Sequence, residues 1–467
     1  MATGGTRPPL GRALRDMRTF AVIWAGQLVS GLGSGLTAFA LPVWIYERNH
    51  SAEQFGLLYF AATVPAVLLA PFAGALVDRW DRRRVLLASD AAAALMTAVI
   101  AALVFSGRFE VWHLFVLSLA SASVGAFQDP AFSATVAAMV PREHLPRASG
   151  MMQTSASVIG LLTPLLAGVL VTVGGLGAVL VVDLATFLVA VGTLLVVRIP
   201  TPPRDPAAPR RHLLREAHDG WRWIRERPAM LYLLLYFPFV NLGTGMVNPL
   251  FPPLVLSFST PAALGAAVTV SSLGMLVGGL ALSAWGGPRR LLRGLLLCQA
   301  AGCVCVMLIG LRPSLPLVAA GLFLSLLVAP TAQACSQTIW LTKTPQEMLG
   351  RVLAIRRMLA MSSMPLAALA AGPLAERVFE PLMAPGGALQ GTVGRVMGTG
   401  AGRGIGLMYV VIGLFVLAAT AVLSLNPRVR RLEEEIPDAP LPVPPPDAEA
   451  EPEELAAAEL GGTPAPA

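Results

Sequence analysis

The chain has 467 residues, of which 55% are hydrophobic and 13% charged, with a net charge of +7 and a mean hydropathy of +0.68. An ordinary soluble domain carries about 25% charged residues, so composition excludes one. It also lacks the alternating segments of about ten residues that mark an outer-membrane barrel. The basic balance, which in a soluble protein would suggest nucleic acid, reads here as the marking of one membrane face.

Residues 1–19 form a polar, basic N-terminal segment expected on the cytoplasmic side. The apolar run that follows, 20–46, is much longer than the roughly 7–15 residues of a signal-peptide core and reads as a retained first helix. Eleven further runs follow at 55–76, 85–105, 111–139, 149–173, 176–197, 230–257, 262–284, 291–311, 315–341, 351–378 and 404–425. Each approaches the roughly 20 residues that span a 30 Å hydrocarbon core. Backbone groups at that depth must be satisfied within the segment, so each run is a helix. The expected fold is an all-α membrane protein: twelve transmembrane helices in two pseudo-symmetric six-helix bundles, 20–197 and 229–425. Residues 198–228 form a cytoplasmic connection. Within it Trp221 and Trp223 among arginines suit a helix lying at the interface. From Asn426 the composition turns to Pro, Glu and Ala, and 426–467 is expected to be a disordered cytoplasmic tail.

Helix 1 carries uncharged polar residues, Gln27 and Ser34. Helix 7 carries Asn241 and Asn248, followed by Phe251 in a Pro-rich segment expected to break that helix. These residues, with Gln128 of helix 4, are candidate wall positions of a substrate cavity, which is mostly apolar with a few placed polar groups. Helix–helix hydrogen bonds would use the same residue types.

Loop 2–3 reads Gly74-Ala75-Leu76-Val77-Asp78-Arg79-Trp80-Asp81-Arg82-Arg83-Arg84. Gly74 permits close backbone approach, and Asp78 complements the positive end of an opposing helix. Arg79, Arg82 and Arg83 can pair with carboxylates or lipid phosphates. Together they form a latch for one of two conformations.

Ionisable residues at membrane depth are functional candidates. Asp90 and Asp183 lie one or two turns inside helices 3 and 6 and read as structural. Asp129 lies deeper in helix 4, on one face with Ser118, Ser121 and Gly125. A carboxyl group there suits reversible protonation in a transport cycle; the competing reading is a hydrogen bond to a neighbouring helix. In helix 5, Gly160, Thr163, Pro164 and Gly168 form a kink: proline releases a carbonyl and small neighbours let the bend pack closely. The four cysteines, Cys298, Cys303, Cys305 and Cys335, lack the spacing and polar co-ligands of a metal or disulfide framework. No metal site, cofactor or catalytic residue is expected, and the chain is not read as an enzyme.

With the N-terminus inside, all but Arg48, Arg108, Arg312, Arg377, Arg395 and Arg403 of the 34 basic residues fall on the cytoplasmic side. The lopsided count predicts cytoplasmic termini in a multi-pass protein of the cell (plasma) membrane. The halves also repeat. Pro141 to Arg147 resembles Pro345 to Arg351, and at the same offset of about 204 Gly168 falls on Gly372. Parallel repeats with a site at their interface are an architecture of secondary transporters.

The Gly74, Asp78-Arg79 and Arg82-Arg83 pattern resembles the loop 2–3 signature of the major facilitator superfamily. Gln27 with Ser30 to Gly35, Glu216 to Trp221, Phe379 to Leu382 and Gly402 to Gly404 resemble its drug:proton antiporter-3 branch of macrolide-efflux and siderophore-exporter proteins. Helix 5 is similar to the superfamily's antiporter motif, with Thr163 and Ala167 in place of glycines; the helix 4 arginine of many antiporters is absent. The resemblance implies alternating access and export of an amphipathic small molecule in exchange for protons by a monomer embedded in lipid. A nutrient uptake carrier and a transport-inactive scaffold or sensor are the alternatives. No Gly-x-x-x-x-Gly-Lys-Ser/Thr loop is present to make the chain an ATP-driven pump by itself.

Overall fold

The computed structural model describes residues 18–77, 80–140, 144–196 and 213–435. The first half comprises α1 (Arg18–Asn49), α2 (Ala52–Val77), α3 (Arg82–Phe105), α4 (Val111–Met139) and one run, Leu145–Val196, of 52 residues. A straight helix of that length would measure about 78 Å, more than twice the hydrocarbon core. It is instead interrupted at Gly175, whose φ of 64° is left-handed and suits a residue without a Cβ. The turn divides the run into α5 (145–174) and α6 (176–196).

The second half comprises the connection helix α7 (Leu213–Arg225), then α8 (Pro228–Leu256), α9 (Pro261–Trp285), α10 (Leu291–Leu311), α11 (Leu315–Lys343) and α12 (Gln346–Leu374). A π turn over Ala375–Phe379 leads to the short α13 (Glu380–Met383) and α14 (Val393–Met397), and α15 (Arg403–Leu425) makes the last crossing. Eleven stretches are long and apolar enough to span; one of them, Gly150–Val196, is the bent pair, so the described residues make twelve crossings. None of the described residues forms a strand.

Two expectations are corrected. The Pro-rich end of α8 does not break it: the helix runs through Pro249, Pro252 and Pro253 to Leu256. Each of these prolines forfeits an N–H to the carbonyl four residues back, and burial of the surrounding turns holds the segment helical instead. The Tyr409 hydroxyl also donates to the Val247 carbonyl there at 2.8 Å, and Leu250, Leu254 and Val255 are fully buried. The tail, in turn, starts ordered. Short helices α16 (Pro427–Arg430) and α17 (Leu432–Glu435) bury Val429 and Leu432 completely. Glu433 accepts the Leu292 amide at 2.7 Å, satisfying an otherwise orphaned donor at the start of α10. The Lys343 ammonium donates to the Glu433 carbonyl at 3.2 Å. Residues 436–467 lie outside the described part.

Helix α7 docks on its own half. Asp219 faces Arg351 of α12 at 3.5 Å, and Gly220 rests against Ile355 and Arg351. Trp223 and Ile224 turn inward, with the Arg227 guanidinium stacked over the Trp223 ring. An amphipathic helix anchored in this way ties residues 213–225 to α12.

Candidate functional site: the cleft between the halves

Because α1 begins at the basic face, α2 and α9 start at the opposite face and α5 and α12 end there. At that far face two seams join the halves. In one, α5 meets α9: a methyl group at Gly265 would run into the Pro164 carbonyl, and one at Gly168 into the Pro261 carbonyl. In the other, α12 meets α2: a methyl at Gly56 would strike the Ala368 carbonyl, and one at Gly372 the backbone of Ala52 and Glu53. Small residues bring helices together in lipid, where close packing replaces the hydrophobic drive.

The proline of α5 contributes to the first seam. Pro164 has no N–H to offer the carbonyl four residues back, which is that of Gly160. That carbonyl instead accepts from the Ser272 hydroxyl of α9 at 3.3 Å, and the next, Leu161, accepts from Thr269 at 3.2 Å. Of the predicted kink residues, Gly160, Pro164 and Gly168 therefore lie at the contact between halves. Thr163 is buried against Gly35 of α1 within its own half.

The second seam is closed by charge. Arg377 donates to both carboxylate oxygens of Glu53, at 2.7 and 2.9 Å. The Glu53 amide donates to Glu376 at 2.9 Å, so a residue of one half caps a helix of the other. Sequence reasoning passed over this cluster, although Arg377 was already conspicuous as one of six basic residues on the sparse side. Behind it, Glu380 accepts the Ile405 amide at 3.1 Å, and Gly404 lies against Phe379 and Glu380. Two sequence stretches noted separately, at 379–382 and 402–404, thus form one contact. The described hydrogen bonds and ion pair between halves lie on this far side.

In the N-terminal half, two buried polar systems take up several of the predicted residues, and Asp129 stands apart from both. Asp90, fully buried, accepts from Gln27 of α1 at 2.9 Å and from Gln128 of α4 at 2.6 Å, tying three helices together. Asp183, also buried, accepts from Thr37 of α1 at 2.6 Å and Thr97 of α3 at 3.1 Å. Ser34 lines a cavity beside it together with Ser118 and Ser121. Asp129 continues that α4 face toward the basic side; it is exposed and, among the described residues, meets neither a hydrogen-bond donor nor an ion-pair partner.

Of the latch residues, Asp78 and Arg79 lie outside the described residues. Gly74 is in the last turn of α2 and Arg82 opens α3. Arg83 donates to the Leu194 and Leu195 carbonyls, both at 3.2 Å, where its charge complements the C-terminal end of α6 in its own half. Asp81 caps α3 by accepting the Arg83 and Arg84 amides at 2.9 and 3.2 Å.

In the C-terminal half, Asn241 donates to the Ala360 carbonyl of α12 at 3.0 Å, and Phe251 is buried in the core. Asn248 lines a cavity of about 250 Å³ with Gln299 and Cys303. The four cysteines are unbridged, and the described residues hold no group of three or more potential metal ligands.

Residues 23–368 match the family profile of the Major Facilitator Superfamily. Macrolide efflux protein A of Streptococcus pyogenes is 26% identical over 368 residues, covering 77% of this chain and 90% of that protein. Multidrug efflux pump Tap of Mycolicibacterium fortuitum is 27% identical over 366 residues, covering 75% and 87%. Enterobactin exporter EntS of Escherichia coli O1:K1 / APEC is 24% identical over 341 residues, covering 73% and 81%. Among solved structures, a bacterial homolog of the human lysosomal transporter Spinster, in an inward-facing and unoccupied conformation, superposes with a TM-score of 0.66 at 15% identity. It covers 91% of this chain and 99% of that one.

Proposed function

The chain belongs to the Major Facilitator Superfamily of membrane transporters, and on that premise we propose that it exports amphipathic small molecules in exchange for protons. Three similar proteins whose names describe efflux or export support the direction. The observation that carries the reading is the pair of matched seams, α5 on α9 and α12 on α2, which hold the halves together on the far face. Alternating access consists of parting these seams while the basic face closes. With the basic face cytoplasmic, the cleft is in its loading state, open to molecules leaving the cell. Asp129 carries the proton. It sits on a cavity-lining face of α4, is reachable from the basic side, and has no fixed partner to hold its charge state. The working unit is a monomer in the cell membrane.

The test uses inside-out vesicles containing the protein and a fluorescent amphipathic dye. Acidifying the lumen should drive dye accumulation, and a protonophore should abolish it. Cells lacking the protein should retain more of the dye than cells expressing it. Equal retention in both, with dye uptake in vesicles indifferent to the proton gradient, would refute export by proton exchange.

A further inference from the structure

Each half encloses a cavity among its first, third, fourth and sixth helices, and the two cavities are built on one plan. The N-terminal one, about 430 Å³, is lined by α1, α3, α4 and α6 with a contribution from α2; the C-terminal one, about 250 Å³, by α8, α10, α11 and α15. Lining positions recur with the same spacing on each pair of helices. Ser34 corresponds to Val240, Thr37 to Gly243, Thr97 to Cys303, Ser118 to Leu326 and Asp183 to Ile412.

This correspondence is an internal control on Asp183. The same place in the other bundle is filled by isoleucine, so the fold does not require a carboxylate there. An aspartate at that depth is costly unless its charge is met. Thr37 and Thr97 both donate to Oδ2 and Ser34 lies at the same carboxylate, whereas buried Oδ1 meets no well-formed hydrogen bond and no counter-charge. No arginine, lysine or histidine is among the described residues that line the cavity. Apart from Ser34, Ser118 and Ser121 its other walls are mostly apolar and include the rings of Phe55, Tyr59 and Phe187. One carboxylate, a few hydroxyls and aromatic faces in an otherwise apolar cavity form a receptor for a cation with an apolar body.

We propose that the cavity inside the N-terminal bundle, with Asp183 at its polar end, binds an organic monocation, either a protonated amine or a quaternary ammonium group. The volume suits a compact amphipathic molecule. Entry follows the α4 face, from exposed Asp129 past Gly125 to Ser121 and Ser118. The site refines the transporter reading by naming a ligand class. Its test measures binding rather than export, so the two can fail separately.

The full-length protein, purified in detergent, is titrated with a dimethylaminostyryl-pyridinium monocation, whose fluorescence rises on immobilisation, and with uncharged dimethylaminostilbene of the same shape. In Asp183→Asn, which keeps an acceptor for Thr37 and Thr97, the cation should bind about tenfold more weakly or worse. The neutral probe should change by less than about twofold. Ser118→Trp, filling the cavity from the opposite wall, should weaken both probes. Unchanged cation affinity in folded Asp183→Asn overturns the proposal. So does a loss seen in Asp129→Asn and not in Asp183→Asn, which would put the cation in the open cleft. If Asp183→Asn does not yield a monodisperse protein, undiminished cation binding by Ser118→Trp overturns it instead.

Discussion

Three aspartates of the N-terminal half sit at membrane depth in three different surroundings, and the surroundings separate their roles. Asp90 receives two amide donors and is fixed as a strut between α1, α3 and α4. Replacing it with alanine strands both glutamine side chains, and the loss of a buried hydrogen-bonded group costs about 1–3 kcal/mol; a fall in detergent thermal stability checks this. Asp129 has neither donor nor counter-charge among the described residues. Asp129→Asn should lower proton-driven export about tenfold or more while the uncharged stilbene binds within about twofold of wild type. Undiminished transport under a pH gradient would remove Asp129 from the mechanism. Sequence gave the depth of each acid but not its partners. Gln27 and Gln128 read equally well as cavity walls, and only tertiary packing shows them turned onto Asp90. Arg83, read as part of a latch, donates instead to the end of α6.

At the scale of the helix, the spans were legible because length and hydropathy are dictated by bilayer thickness. Interruptions were harder to read. The prolines of α8 suggested a break that tertiary burial prevents, whereas the boundary expected between residues 173 and 176 is realised at Gly175. The α5 motif was legible in part: Pro164 implied a freed carbonyl, and the structure supplies its acceptor role toward Ser272. Which helix would provide the donor is a long-range fact that no local pattern contains. Gly265→Leu should hold the α5–α9 seam apart, since overpacking a close contact costs about 1–3 kcal/mol. Spin labels at the far-face ends of α5 and α9 should report a longer distance in that variant. Ser272→Ala is a milder change, removing one bond worth about 1 kcal/mol.

Over the whole molecule, the internal repeat was visible as matching residues and recurs in the packing geometry. Gly168 and Gly372, paired by sequence offset, occupy equivalent places on the two seams. Among the described residues the charged rim is not repeated: Glu53 and Arg377 lock the α2–α12 seam. The pair is partly exposed, so it stabilises the closed far face by at most about 1 kcal/mol. Arg377→Gln should therefore shift the population toward the opposite opening by no more than about fivefold, read by the same spin-label distances across α2 and α12. The cap that Glu376 lends to α2 has another effect. When the seam parts, the Glu53 peptide nitrogen loses its acceptor and faces water, so its proton becomes free to swap with deuterium. That single site is a built-in gauge: its labelling rate in heavy water reports the share of time the gate stands open, with no probe attached to the protein.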